Sequence, residues 1–217
     1  MAAGNPGHHL PGEEPLEQDS MAEARSRLRL AVVCSSNQNR SMEAHRLLRK
    51  RGFLRVRSFG TGTYVRLPGP TPYRPNVYDF QTTYEQMYQD LIRKDEDLYT
   101  QTGILSMLQR NKRIKPRPER FQNCYDVFDL ILTCEQRVFC RVVRELNARE
   151  RVTWERVHVI NVDIQDDDTE AILGSFLLFE LCQCILLVDN MDEELVEVLQ
   201  LFKDILGLPF LHAVCFY

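Results

Sequence analysis

Four short apolar runs with helical stripes between them constrain this chain more than any other feature. Leu28 to Val33, Val56 to Phe59, Val127 to Thr133 and Val157 to Val162 are rich in Val, Ile, Leu or Phe and read as buried strands. After the first comes a helical pattern from Met42 to Lys50, closed by Gly52. After the third, Val138, Phe139, Val142, Val143 and Leu146 fall at helical spacing. After the fourth comes an apolar segment from Ala171 to Val188, then a stripe from Met191 to Leu206 that ends at Gly207 and Pro209. Strands that are apolar along their whole length need cover on both faces. Strand–helix alternation supplies it with a mostly parallel sheet between helical layers. The expected fold is therefore three-layer α/β, with Leu211 to Tyr217 as a C-terminal edge strand. The stretch from Val77 to Arg110 lacks strand character. There, Tyr84, Met87, Tyr88, Leu91, Ile92, Leu98 and Tyr99 predict one amphipathic helix and Ile104 to Leu108 a second, short one. Together they form a helical insertion at about 77–110.

At 217 residues the chain has the size of one domain. Residues 1–20 are rich in Gly, Pro, His and Glu without apolar periodicity, and read as a disordered tail before a single domain at 21–217. The tail lacks both the apolar run of a signal peptide and the Arg-rich face of a transit peptide. The 27 basic and 31 acidic side chains include four acids and no Lys or Arg in the first 20 residues. The remainder is neutral, which argues against a nucleic-acid binder. Seven scattered cysteines suit a reducing compartment with free thiols. The apolar segment at 171–188 is long enough to raise a membrane span. Glu180 and Gln183 interrupt it, acids flank it, and no Lys or Arg anchors it, so a core helix is expected and no membrane partner.

The sharpest chemical signal is Cys34-Ser35-Ser36-Asn37-Gln38-Asn39-Arg40-Ser41, which leaves a buried strand and opens a helix. A loop at that junction wraps backbone N–H groups around one centre at the positive end of a helix and makes an anion cradle. Arg40 adds a bidentate fork for phosphate oxygens. The same field favours a thiolate at Cys34; cysteines in such settings titrate at about 3.5–7.5. Ser41 can donate a hydrogen bond to it. The competing reading is a buried, inert cysteine ending a strand. A cysteine nucleophile that releases an alkoxide needs a proton donor. Active groups of an open parallel sheet gather beyond the carboxyl ends of its strands, which brings Asp163 and Asp166, after the fourth strand, to the cleft at Cys34. Asp167, Asp168 and Glu170 read as helix-capping acids.

Other constellations carry less. Cys182 and Cys184 lie on different faces of a helix and cannot share a metal. His45, His158 and His212 lack partners at metal-ligand spacing, and Gly60-Thr61-Gly62 lacks the third glycine of a dinucleotide loop. No metal and no cofactor are expected. Six basic residues between Arg110 and Arg120 against one acid, Glu119, read equally as a solvated face, a nuclear-import patch or an attractor for a multiply phosphorylated peptide; Pro116 and Pro118 favour an exposed extended strand.

Residues 28–217 resemble the Ssu-type protein phosphatases, which act on the carboxy-terminal repeat domain of RNA polymerase II. The resemblance rests on AVVCSSNQNRSMEAH, VRSFGTGT, LPGP, PNVYDF, QTGIL, NKRIKPRPERFQNC, FDLILTCE, VHVINVDIQD and the ending FLHAVCFY. It implies a low-molecular-weight tyrosine-phosphatase-like fold and a phosphoserine–proline substrate with the proline in cis. It also implies Cys34 as nucleophile, Arg40 as phosphate ligand, Asp166 as general acid and Asp163 as its supporting acid. Pro68, Tyr99 and Met107 would form the pocket for the peptide. The extra N-terminal residues, Leu54-Arg55, Cys140 and Leu186-Leu187 depart from the family text, and none touches the signature loop. The implied partners are the phosphorylated polymerase tail and a helical-repeat scaffold of the cleavage and polyadenylation machinery, and the implied compartment is the nucleus. Two alternatives stay open: a catalytically weak binding component of that machinery, and a phosphotyrosine or small-phosphate hydrolase of related fold.

Overall fold

The computed structural model describes residues 15–217. Helix α1 (Pro15–Arg27) leads into β1 (Leu30–Cys34), α2 (Arg40–Lys50) and β2 (Val56–Gly60). A hairpin follows, β3 (Val65–Leu67) and β4 (Asn76–Tyr78), then α3 (Tyr84–Gln101) and α4 (Ile104–Ile114). The chain then runs through β5 (Leu130–Thr133), α5 (Gln136–Ala148), β6 (Arg156–Val162), α6 (Asp168–Leu187), α7 (Met191–Leu206) and β7 (Phe210–Phe216). The main sheet has the order β2-β1-β5-β6-β7. Its first four strands are parallel, and β7 closes the edge antiparallel to β6, with Arg156 opposite Phe216 and Val162 opposite Phe210. Residues 1–14 of the stretch expected to be a tail lie outside the described residues, while 15–20 belong to α1.

The alternation of side chains along β1 assigns the layers. Leu30, Val32 and Cys34 pack against Ala44, Leu47 and Leu48 of α2 and against the α6 and α7 residues Leu178, Leu181, Leu195 and Leu199. Ala31 and Val33 face the other way, toward Val138, Val142 and Leu146 of α5. All five β1 residues are buried, as expected of a central parallel strand. A third cluster joins Met42 of α2 to Val65 and Leu67 of the hairpin and Tyr84, Met87, Leu91 and Leu108 of the insertion. That apolar contact holds the inserted helices over the carboxyl end of β1.

Three expectations need correction. Asn76–Tyr78 is a strand, although 77 onward reads as strandless, because a three-residue strand paired only with Val65–Leu67 is too short to show a period. The helix expected across Tyr84 to Tyr99 breaks at Asp95, whose backbone is extended and whose carboxylate accepts from Leu98 N at 3.0 Å, capping a fresh turn. The basic segment from Arg110 does not begin as an extended strand, since Arg110, Lys112 and Arg113 lie on α4. Helix α6 is long and apolar enough to cross a membrane by length and composition. One side of it, with Leu178, Phe179, Leu181, Cys182 and Ile185, is core, and the other exposes Ile172, Leu173, Phe176 and Leu187.

Candidate active site

Cys34 ends β1 and is 3% exposed, and the chain turns over Ser35 to Asn39 into α2 at Arg40. The turn needs a left-handed residue, and Asn37 supplies it with φ +54°. Asn37 is fully buried and ties the loop together. Its N–H donates to Cys34 Sγ at 3.2 Å, its Oδ1 accepts from Glu119 N at 3.0 Å and its Nδ2 donates to Ser41 Oγ at 2.9 Å. Ser41 Oγ is 3.1 Å from Cys34 Sγ. Because Ser41 already accepts from the Asn37 amide, its own hydrogen is free to point at the sulfur.

The loop carbonyls are engaged from outside. Thr61 N donates to Cys34 O at 3.1 Å and Gly62 N to Ser35 O at 2.8 Å. The Tyr84 hydroxyl donates to Asn37 O at 2.7 Å, and Asn111 Nδ2 and Arg110 Nη2 both donate to Gln38 O at 2.8 Å. In a planar trans peptide the next N–H points opposite its carbonyl, so this bracing turns amides toward the hollow of the loop. Gly60 and Gly62 allow the close approach: a Cβ on either would stand 2.8 or 2.9 Å from Ser35 O. Burial pushes the Tyr84 phenol well above its ordinary pKa, which keeps it a neutral donor.

Arg40 is 3% exposed. Its Nη1 donates to Ile164 O at 2.9 Å and to Glu135 Oε2 at 3.1 Å, while Nη2 reaches Ser35 Oγ at 3.4 Å and Asp166 Oδ2 at 3.3 Å. Its Nε is buried without a partner among the described residues. Burial works against the guanidinium charge, but Cys34, Asp166, Cys134 and Glu135 outweigh it and hold the pKa above its usual value.

A cavity of about 480 Å³ opens on this loop, lined by Cys34, Ser35, Ser36, Gln38, Asn39, Pro68, Ile104, Met107 and Asp166 among others. Ser36 Oγ accepts from Arg66 N at 3.4 Å on the hairpin wall. Asp166 is exposed at the rim, where its Oδ1 also accepts from Asn39 Nδ2 at 3.4 Å. Asp163 is not brought to this cavity. Its Oδ1 accepts from Gln136 N and from Asn161 Nδ2, both at 2.9 Å, so it fastens the end of β6 to the start of α5 beside Glu135. Pro68 and Met107 line the cavity, whereas Tyr99, 2% exposed, does not. Tyr99 stands behind the wall: its hydroxyl accepts from Asn76 Nδ2, which also donates to Pro68 O, each at 2.9 Å.

A strand-end cysteine, a left-handed turn and a buried arginine under a rim carboxylate make a fold-specific signature, and residues 28–217 match the family model described as Ssu72-like protein. The chain belongs to the Ssu72 family. The RNA polymerase II C-terminal domain phosphatase SSU72 of Gallus gallus is 69% identical over 192 residues, covering 88% of this chain and 98% of the relative. The Homo sapiens protein of that name is 68% identical over the same coverage, and the human SSU72 like protein 4 is 58% identical. The Drosophila melanogaster Ssu72, solved with Symplekin and a cis peptidomimetic phosphoserine peptide of the C-terminal domain, superposes with a TM-score of 0.85 at 45% identity, covering 88% of this chain and 99% of that one.

Several residues that shape this Ssu72-type site escape sequence reading. Glu135 sits just past β5, the strand beside β1, and strand-end position was its only signal. Tyr84 and Asn111 look like ordinary residues of amphipathic helices, and Arg110 like one charge of a basic run. In that run, Lys115 donates to Ser58 O at 2.6 Å and to Glu119 at 2.9 Å, and burial pushes its pKa down to about 8. Pro118 is buried. The segment is largely packed rather than a free exposed strand. His158 and His212 stack, with His158 Nε2 also 2.9 Å from Asp192 Oδ1. Among the described residues no group of three His, Cys, Asp or Glu is placed to hold a metal ion.

Proposed function

We propose that this chain is a cysteine-dependent protein serine phosphatase that removes phosphate from phosphoserine–proline sites of the RNA polymerase II C-terminal repeat domain, and that it works in the nucleus. The observation that carries the reading is the loop itself: Cys34 Sγ at 3.1 Å from Ser41 Oγ, above a buried Arg40 that also reaches Asp166 at 3.3 Å. The relatives at 58–69% identity named as C-terminal domain phosphatases supply the substrate class.

The phosphate dianion sits among the loop amides and the Arg40 guanidinium, which neutralise its charge as it is transferred. The Cys34 thiolate attacks phosphorus, and the bond from phosphorus to the serine oxygen breaks. Asp166, protonated, hands its proton to that oxygen, so serine leaves as the alcohol. The resulting carboxylate then takes a proton from water, whose oxygen attacks the cysteinyl-phosphate; inorganic phosphate leaves and the thiolate returns. Asp163 acts indirectly, holding Gln136 and thereby the neighbouring Glu135 that anchors Arg40. Pro68 and Met107 face the substrate, and Tyr99 positions Pro68 through Asn76. The Drosophila relative is solved together with Symplekin, and on that ground the partner assigned here is a helical-repeat scaffold of the cleavage and polyadenylation machinery.

The test is phosphate release from a repeat-derived phosphoserine–proline peptide, with the proline replaced by cis-locked and trans-locked mimics. Hydrolysis of the cis form alone is expected. Equal rates on both would remove the pocket assignment, and no release from any form would remove the activity.

A further inference from the structure

The active-site cavity does not end at the loop. Asn39, Met107 and Asp168 line it and also line a second hollow of about 330 Å³, which runs between α2 and α4. Arg46 and Arg110 of that hollow in turn line a third, of about 320 Å³, with Arg49, Arg113 and Ile114. The shared residues set these hollows in a row, from Cys34 to four arginines. The acids that face them are few. Glu43, nearly buried, pairs with both Arg46 and Arg110, and Asp168 adds a weaker attraction for Arg110. Arg49 and Arg113 are exposed and have no acidic partner within ion-pair distance among the described residues. Each lies in the last turn of its helix, where a cation complements the helix dipole. That accounts for one arginine on each helix, not for the meeting of four along one groove with only Glu43 and Asp168 among them.

We propose that this groove is a second phosphate-binding site, which holds another phosphate of the same extended peptide whose phosphoserine lies in the Cys34 loop. The inference rests on the phosphatase reading above. Guanidinium forks pair bidentately with phosphate oxygens, and a phosphate dianion brings more charge to several arginines at once than a single carboxylate does. Burial first, and Arg46 after it, lower the Arg110 pKa against the pull of Glu43 and Asp168, so an added anion beside it would be favoured. Arg46 and Arg49 lie along α2 about 9–14 Å from Arg40, at a helical rise of about 1.5 Å per residue. An extended chain covers that span in about three to five residues. The two phosphates should therefore be separated by that many positions. A single-stranded nucleic acid is the weaker occupant, because such sites pair their basic residues with aromatic stacking platforms, and among the described residues no aromatic side chain lines this groove.

The experiment compares kcat/KM on phosphoserine–proline peptides carrying one phosphate with peptides carrying a second at offsets of two to six residues on either side. It uses the full chain and the double variant Arg49→Gln/Arg113→Gln, with single-phosphate peptide as the control for folding and chemistry. Expected is a KM lower by roughly five- to twentyfold for an offset of three to five residues on one side. That advantage should disappear in the double variant and shrink with added salt, while single-phosphate turnover stays unchanged. Arg49→Lys/Arg113→Lys should keep part of it. If single-phosphate peptide is turned over and no offset gives an advantage, the second site is overturned and the phosphatase reading stands. An advantage that survives the double variant also overturns it. So does inhibition by a single-stranded RNA oligonucleotide that the double variant relieves while no second phosphate helps. If no phosphoserine peptide is turned over, the phosphatase reading itself falls and takes this site with it.

Discussion

Two loops leave the carboxyl ends of parallel strands and meet over the same cavity, yet they are built in opposite ways. The loop after β1 is closed in: Asn37, Gln38, Arg40 and Ser41 are buried, and its carbonyls are held by the β2–β3 turn, by α3 and by α4. The loop after β6 is open: Gln165, Asp166 and Asp167 are exposed, and Asp166 is held by contacts no shorter than 3.3 and 3.4 Å. An anion cradle works by fixed dipoles, which must not reorganise as charge develops. A general acid must reach a leaving oxygen, surrender a proton and then take one from water, which tolerates and uses freedom at the rim. Burial is thus given to one strand end and exposure to the other.

The comparison breaks most visibly at the sulfur. Cys34→Ser should lower phosphopeptide turnover by at least ~10²–10⁴-fold, because the alcohol is far less ionised than a thiol at neutral pH. Binding of the phosphopeptide should persist, since the cradle is untouched; activity above about a hundredth of the parent would refute the nucleophile. Next comes the open loop. Asp166→Asn should slow phosphoserine hydrolysis by about 10²–10⁴-fold and an activated aryl phosphate far less, since a good leaving group needs little protonation. Asp163→Asn keeps the oxygen that accepts from Gln136 and Asn161, so it should cost at most several-fold, and equally on both substrates. A leaving-group-dependent loss in the Asp163 variant would reverse the two roles.

The closed loop should fail through its braces. Tyr84→Phe removes the donor to Asn37 O and leaves a buried carbonyl unpaired, a loss of about 1–3 kcal/mol that urea unfolding would register. Unchanged stability and activity would mean the brace is idle. The smallest effect concerns pH. His45, on α2 beneath the cradle, donates to or accepts from Ser58 Oγ at 2.8 Å, and burial, aided by Lys115, pushes its pKa down to about 3. In the unfolded chain it protonates near pH 6.5. Between about pH 6.5 and pH 3 the unfolded state therefore binds more protons, and stability falls as pH falls, at up to about 1.4 kcal/mol per pH unit. His45→Gln should flatten that slope in unfolding curves recorded from pH 7 to pH 5.

The apolar runs and the spacing between them determined the sheet, its parallel core and the cysteine loop at its carboxyl edge. A strand buried on both faces leaves a continuous apolar record in its own residues, and a strand–loop–helix junction is a local object. Even so, strand position alone placed Asp163 and Asp166 on equal terms, because both simply follow β6. The family resemblance implied different roles for them, and the tertiary structure gives them different partners. It gave Asp163 the backbone N–H of Gln136 and Asp166 the side chain of Arg40, partners that lie 27 and 126 positions away in the chain. The same holds for Tyr99, which reads as a pocket residue and stands one layer behind it. Tyr84, Asn111 and Glu135 are bound to the loop by contacts between distant segments, and no period or spacing in their own neighbourhoods records such contacts. A local sequence encodes burial through repetition. It cannot encode which distant carbonyl a single hydroxyl or amide will meet, because that depends on how the three layers close on one another.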